Sequence, residues 1–78
     1  MQGYYSRFMR RLLRNVKNGR YYAKESWVSE ESGAYSFHGP TEAINACIEH
    51  GLRDVELIIR SDAGQPDLCV PIPNAILD

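Results

Sequence analysis

The chain has few of the features that indicate a membrane span or a disulfide framework. Its 78 residues include two cysteines, Cys47 and Cys69, and no run of the roughly 18 apolar residues that a bilayer span needs. Two cysteines without a secretory signal are more often reduced thiols than a disulfide. The sequence therefore predicts a cytoplasmic protein, although an Arg-rich start without acidic residues also fits a mitochondrial presequence.

Recognised catalytic signatures are absent as well. The glycines form neither a G-x-x-x-x-G-K-[ST] nor a G-x-G-x-x-G phosphate loop. No local signature of an activated nucleophile surrounds either cysteine. The adjacent carboxylates of Glu30 and Glu31 fall in a predicted loop, where solvated charges are expected. We therefore predict a protein that is not an enzyme and needs no cofactor.

A metal site is the nearest chemical alternative. Cys47 and His50 have C-x-x-H spacing, and His38 and Cys69 could complete four ligands. Structural zinc sites normally combine two closely spaced pairs of ligands, which His38 and Cys69 do not form. A small core cysteine and a basic residue at a helix end explain Cys47 and His50 better, so no metal is predicted.

Acidic residues are missing from the front of the chain, where basic residues concentrate. Seven of the nine Lys and Arg residues lie in residues 1–24, which contain no Asp or Glu, while all ten carboxylates follow. The formal net charge of −1 conceals this separation. Charge asymmetry of this kind favours an electrostatic partner, which could be nucleic acid, an anionic surface or a protein with complementary patches.

The basic segment has apolar residues at helical spacing. Between residues 4 and 18 they occupy positions 5, 8, 9, 12, 13 and 16, which is the i, i+3, i+4, i+7 pattern. Asn18 and Gly19 follow as a C-terminal cap. We predict an amphipathic helix here, with its basic residues opposite the apolar stripe.

A hairpin is predicted next. Residues 21–28 are rich in aromatic and β-branched types and favour a strand. The polar residues 29–33, with a glycine at their end, suit a hairpin connection. Residues 34–37 are then the returning strand.

A second helix and two more strands complete the pattern. The helix begins with Pro40 as its first residue after Gly39, or with Thr41 as its cap, and ends at Gly51. Alternating apolar residues predict strands over residues 54–60 and 68–72. Two prolines within and after the last strand make it an edge strand.

These elements predict an α+β fold. An N-terminal amphipathic helix is followed by β-β-α-β-β, with the helices on one face of a small, mostly antiparallel sheet. No linker separates two domains, so residues 1–78 are expected to form a single domain, with the basic helix over 1–19 and the ββαββ unit over 20–78. Because so short a chain has a thin core, a homodimer is a reasonable expectation.

Two oppositely charged sets of residues are the candidate partner-binding sites. The basic set lies along the predicted helix, and the acidic set lies in predicted turns and at strand ends. The candidates are Arg7, Arg10, Arg11, Arg14, Lys17, Glu30, Glu31, Asp54 and Glu56. Like charges along one helical face repel, so they need compensation from the acidic half of the chain, from a second copy or from a partner. A plain solvated face is the alternative interpretation.

Residues from Tyr21 onward resemble several very small phage and mobile-element proteins. The resemblance is carried by the predicted hairpin, the helix start at residues 39–44, the Gly51 cap and the strand at 54–60. Some type I anti-CRISPR inhibitors share this layout. The resemblance implies a stoichiometric inhibitor that docks on a nucleic-acid-handling complex, without cofactor or turnover, and it carries no site residue across.

The leading hypothesis is therefore a non-enzymatic protein-protein interaction module, of the kind that a phage-type inhibitor of a host nucleic-acid-handling complex represents. The alternative is a small RNA- or DNA-binding protein that contacts phosphates through the basic helix and stacks bases on its tyrosines. Membrane association is disfavoured because the same apolar stripe is needed to complete the core.

Overall fold

The computed structural model describes residues 9–60 and 67–77, which form an antiparallel five-stranded sheet and one α-helix. The strands are β1 Arg10–Asn15, β2 Tyr21–Tyr22, β3 Trp27–Val28, β4 Val55–Arg60 and β5 Leu68–Pro71, and the helix, α1, is Pro40–His50. In the sheet the strands run in the order β3-β2-β1-β4-β5. Two short 3-10 turns, Glu31–Gly33 and Asn74–Leu77, follow β3 and β5.

The prediction of an N-terminal helix is wrong for the described residues. The segment Arg10–Asn15 is β1, a central strand that pairs antiparallel with β4 along its whole length. Leu12 and Leu13 are both 0% exposed, one on each face of the sheet. Two adjacent apolar residues are compatible with one face of a helix and also with a strand that is buried on both faces. The apolar spacing therefore does not distinguish a helix from a strand here. The predicted helix start, with Arg7, lies outside the described residues.

The predicted fold class is wrong for the same reason. Over residues 9–60 and 67–77 the structure is a five-stranded sheet with a single short helix, not a sheet with two helices on one face. The predicted strand over residues 21–28 is divided in two: β2 and β3 pair with each other, Tyr21 opposite Val28 and Tyr22 opposite Trp27. Residues 34–37 form no strand, although the Phe37 N–H donates to the carbonyl oxygen of Arg11 at 2.8 Å.

The second predicted helix is confirmed. Pro40 is the first helical residue, where its missing N–H is not needed, and Gly39 is the N-cap. Gly51 ends the helix with φ of 63°, a left-handed conformation that favours glycine. Ala43 and Cys47, four residues apart, are buried against the sheet.

The last two predicted strands are also confirmed, and β5 is an edge strand. The Ile72 N–H donates to the Val55 carbonyl oxygen at 3.1 Å. In an antiparallel ladder, hydrogen-bonded pairs alternate with non-bonded ones, so Cys69 and Pro71 direct their backbone groups away from β4. Because proline has no N–H, Pro71 removes a donor from the free edge, which limits pairing with another strand. The predicted turn at residues 61–66 lies outside the described part of the chain.

The main core lies between α1 and the sheet. Its buried members are Leu13, Tyr22, Phe37, Ala43, Cys47, Val55 and Leu57. On the other face, Leu12 and Ile58 are also buried, and their neighbours along β1 and β4 are charged. Among the described residues, no helix has the length and apolar character that crossing a bilayer would require.

Candidate functional site

The basic strand β1 lies directly against the acidic strand β4. Arg14 is in register with Glu56, and its Nε and Nη2 atoms donate to Glu56 Oε2 at 2.9 and 2.7 Å. The hydrogen bond to this carboxylate raises the pKa of Arg14. Next to this pair, Lys17 Nζ lies 3.4 Å from Asp54 Oδ2. Two of the predicted basic residues are thus paired with two of the predicted acidic ones.

A second group of ion pairs lies at the other end of β4. Arg60 is paired with Glu31 and also donates to Asp67 Oδ2 at 2.8 Å. Arg10, which is opposite Arg60 in the ladder, donates instead to the carbonyl oxygens of Glu31 and Ala34, at 3.3 and 3.4 Å. These contacts fasten the 3-10 turn to the sheet and spread the positive charge of two arginines over several acceptors.

The predicted partner-binding residues are therefore only partly brought together. We call the sheet face that contains Arg10, Arg14, Glu56 and Arg60 the charged face. Arg11 points to the opposite face, because side chains alternate along a strand. Glu30 is exposed at the start of the 3-10 turn, and Arg7 lies outside the described residues. Four candidates, Arg14, Lys17, Asp54 and Glu56, form two internal ion pairs.

A cleft that the sequence pattern does not predict lies between α1 and the β2–β3 hairpin. Its volume is about 200 Å³. We call it the aromatic cleft. The sheet side contributes Tyr22, Lys24, Tyr35 and Phe37, and the helix contributes Glu42, Asn45, Ala46, Glu49 and His50. The signal in the sequence was the concentration of aromatic residues between positions 21 and 37, which were interpreted as strand formers.

Three aromatic rings form the inner part of the aromatic cleft. The rings of Tyr22 and Phe37 are stacked at a centroid distance of 6.0 Å, with 9° between their planes. Tyr35 meets Phe37 edge to face at 4.8 Å. Tyr22 also contacts Trp27 at 5.7 Å. Because Tyr22 and Phe37 are buried core residues, these rings are held in fixed positions.

Glu42 organises the polar side of the aromatic cleft. Its Oε1 accepts the His38 backbone N–H at 2.6 Å, and its Oε2 accepts the Tyr35 hydroxyl at 3.1 Å. The backbone hydrogen bond from His38, followed by the one from Tyr35, lowers the pKa of Glu42. The same contact with Glu42 raises the pKa of Tyr35, which keeps the phenol protonated as a donor. Glu42 is therefore held as an anion at the cleft.

Lys24 covers the aromatic cleft from the hairpin turn. Its Nζ lies 4.7 Å from the centroid of the Tyr35 ring, a cation-π distance. The backbone of Lys24 has φ of 71°, in the left-handed region that residues with a Cβ rarely adopt. The Ala23 N–H donates to the Ser26 carbonyl oxygen at 2.9 Å and closes this turn. The hairpin thus directs an ammonium group onto an aromatic ring.

Four large aliphatic side chains are exposed on the helix side of the sheet. Ile44 and Ile48 lie on α1 at 39% and 52% exposure, and Leu68 and Val70 lie on β5 at 60% and 46%. Leu68 and Val70 pair with Ile59 and Leu57 and therefore share their face of the sheet. We call these four residues the apolar surface.

The two flanks of α1 face different parts of the sheet. At 100° per residue, Ile44 and Ile48 lie on the flank opposite Glu42, Ala46 and His50. Since these three residues line the aromatic cleft beside β2 and β3, Ile44 and Ile48 face the β4 and β5 side. The apolar surface and the aromatic cleft are therefore separate.

The two cysteines are free and in different surroundings. Cys47 is buried, which raises the pKa of its thiol and makes it a poor nucleophile, whereas Cys69 is exposed on β5. His50, the other residue of the C-x-x-H spacing, is exposed at the end of α1. Within residues 9–60 and 67–77, no three His, Cys, Asp or Glu residues are grouped as a metal site would require.

Scans against known protein families, characterised proteins and solved structures found no match to this chain.

Proposed function

We propose that this chain is a non-enzymatic protein-binding module that docks on a protein partner through the apolar surface. The single observation that carries this proposal is the exposure of Ile44, Ile48, Leu68 and Val70 on the helix side of the sheet. Isolated exposed aliphatic residues are ordinary, but a group of them on one side is typical of a protein interface. The partner we infer presents an apolar patch of its own.

The arrangement of charge supports a protein partner over nucleic acid. The cations of Arg14 and Lys17 are opposed by Glu56 and Asp54, and Arg60 is opposed by Glu31. Much of the charge separation in the sequence is therefore used to hold β1, β4 and the 3-10 turn together. Aliphatic side chains, in contrast, offer nothing to a phosphate backbone.

The narrower hypothesis is an inhibitor of the phage type that binds a host nucleic-acid-handling complex in the cytoplasm. It rests on the part of the resemblance that agrees with the structure, which is the helix start at residues 39–44, the Gly51 cap and the strand β4, because the predicted returning strand over residues 34–37 is absent. Two free thiols agree with a reducing compartment. The charged face, with Arg10, Arg14 and Glu56, lies on the opposite side of the sheet from this interface.

The test compares capture of proteins from a nuclease-treated cell lysate by four forms of the chain. These are the wild type, Ile48→Glu, Leu68→Glu and, as a matched control, Val16→Glu, which changes an aliphatic side chain of 56% exposure outside the apolar surface. We expect the wild type and Val16→Glu to recover the same protein at high salt. Each of the other two should lose about tenfold or more of it, because a charge would then be buried at an apolar contact.

Two results would overturn the proposal. One is recovery of the same proteins by all four forms. The other is recovery of none above the untagged background. Fluorescence anisotropy with labelled RNA and DNA at about 50 and 200 mM salt tests the alternative, since phosphate-driven binding falls steeply over that range. Micromolar binding that collapses with salt would favour a nucleic-acid-binding protein instead.

A further inference from the structure

The aromatic cleft lies on the other flank of α1 from the apolar surface and serves no part of the proposed docking. It already holds a cation from its own chain. The Lys24 ammonium lies over the Tyr35 ring at 4.7 Å, within the range of a cation-π contact. The aromatic cleft therefore has the geometry that recognises an ammonium group.

The charges around the cleft favour a cation as well. The helix wall carries the carboxylates of Glu42 and Glu49, and the facing hairpin carries the single cation of Lys24. Glu42 is held by the His38 N–H and the Tyr35 hydroxyl, which leaves its negative charge at the rim. His50 completes this wall beside Glu49, with Nε2 and Oε1 3.5 Å apart. Without Lys24, the cleft would present aromatic faces between two carboxylates.

Lys24 is in a replaceable position. It is an exposed residue in a four-residue connection, and its left-handed φ of 71° is unfavourable for a side chain with a Cβ. Its side chain contacts one face of one ring, whereas the cleft of about 200 Å³ has room for a larger group. A ligand that contacts more of the aromatic wall can displace it.

We propose that the aromatic cleft is a binding site for an alkylammonium group, which replaces the Lys24 ammonium over the Tyr35 ring. The group belongs either to a small quaternary or primary amine or to a lysine side chain of a partner. Lys24 then competes with the ligand for the Tyr35 ring and lowers the affinity of the cleft for it. Quaternary and methylated ammonium groups are favoured, because they bind aromatic faces and lose little hydration.

The test is a titration of the chain with choline and with Nα-acetyl-lysine methylamide, which keeps its side-chain ammonium. Binding is followed by the backbone amide signals in NMR. Sodium chloride at equal ionic strength is the reference. Saturable shifts confined to the residues around Lys24, Tyr35 and Glu49 are expected with at least one of the two amines. Shifts that do not saturate, or that sodium chloride reproduces, would overturn the proposal. Tighter binding of choline identifies a small quaternary ligand, and tighter binding of the lysine derivative identifies a side chain.

Variants test separately the role of the Tyr35 ring and that of the Lys24 ammonium. Tyr35→Phe keeps the aromatic face and should retain binding, whereas Tyr35→Leu should lose it. Lys24→Gln should bind the amine about threefold more tightly than the wild type, as expected for the loss of an exposed cation-π contact. Lys17→Gln removes the same charge outside the cleft and should bind like the wild type.

Unchanged affinity in Lys24→Gln, or equal tightening in both lysine variants, would overturn the role given to Lys24. A thermal melt of each variant establishes that it is folded. If Tyr35→Leu does not fold, the comparison of Lys24→Gln with Lys17→Gln still decides the proposal, since both change exposed residues.

Discussion

At the scale of single residues, the best-formed contact between the basic and acidic parts of the chain is the ion pair of Arg14 and Glu56. Two nitrogen atoms of Arg14 bind one carboxylate oxygen, and the side chains are 32% and 17% exposed. Partial burial reduces screening by solvent, and the register of β1 against β4 fixes the geometry. Such a pair contributes more than an ordinary surface ion pair.

A double-mutant cycle measures this contribution. Arg14→Met, Glu56→Gln and the double variant should give a coupling free energy of about 1 kcal/mol in urea unfolding. The more exposed pair of Lys17 and Asp54, 3.4 Å apart, is the control and should couple less strongly. Equal coupling in the two cycles would show that burial and geometry do not distinguish them.

Two carboxylates make the stability of the fold depend on pH in the acidic range. Hydrogen bonds lower the pKa of Glu42, chiefly from the His38 N–H, and that of Asp54, chiefly from the Asn74 side chain. A carboxylate with a lowered pKa stabilises the fold fully above its ordinary value of about 4, and this stabilisation is lost as the pH falls through the lower folded value.

We therefore expect the free energy of unfolding to decrease as the pH falls below about 4. Urea unfolding at a series of pH values measures it. The double variant Glu42→Gln with Asp54→Asn should be less stable at neutral pH and should show a flatter profile. An identical profile for the variant and the wild type would refute the assignment of these two groups.

At the scale of elements, α1 is defined by local signals. Gly39 and Gly51 flank it, and a Cβ at either position would meet nothing within 4 Å. They differ in backbone conformation: Gly51 has φ of 63°, whereas Gly39 has φ of −168°, which any residue adopts. Local chemistry alone placed both ends of this helix.

This difference gives a matched pair of substitutions. Gly51→Ala should destabilise the fold by about 1 kcal/mol, because alanine is strained in the left-handed region. Gly39→Ala should cost less, because it introduces neither strain nor a clash and loses only the preference for glycine over alanine at an N-cap. Thermal or urea unfolding compares them. Equal losses of stability would show that the backbone φ does not determine the cost of a Cβ at these two positions.

The strands show which elements local sequence patterns predict and which they do not. The sequence pattern identified β4 and the edge strand β5 because apolar residues recur at every second position, at 55, 57 and 59 and at 68, 70 and 72. It failed for β1, where Leu12 and Leu13 are both buried and arginines occupy the neighbouring positions. It also missed the turn between β2 and β3, since Lys24 adopts a positive φ there without being a glycine or asparagine.

At the scale of the whole molecule, the main core of the described residues lies between α1 and the sheet. Cys47 belongs to it with 0% exposure, while Cys69 is on the exposed edge strand. Burial raises the pKa of the Cys47 thiol, so both its access and its reactivity depend on opening of the fold.

Alkylation with iodoacetamide, followed by mass spectrometry, tests this arrangement. Cys69 should react at the rate of an open thiol. Cys47, studied in Cys69→Ser, should react roughly a thousandfold or more slowly, because modification requires opening of the core. Sub-denaturing urea should accelerate Cys47 and leave Cys69 unchanged. Similar rates for the two thiols in water would contradict the burial of Cys47.

The sequence by itself determined the features that depend on neighbouring residues: the ends of α1, the alternation in β4, the edge position of β5 and the separation of charge. Tertiary structure decided the rest. Whether residues 10–15 became a helix or a strand depended on pairing with β4, 40 to 50 positions away, which no local pattern encodes. That pairing set Arg14 against Glu56 and let α1 pack over the aromatic residues, and so it created the Arg14–Glu56 ion pair and the aromatic cleft.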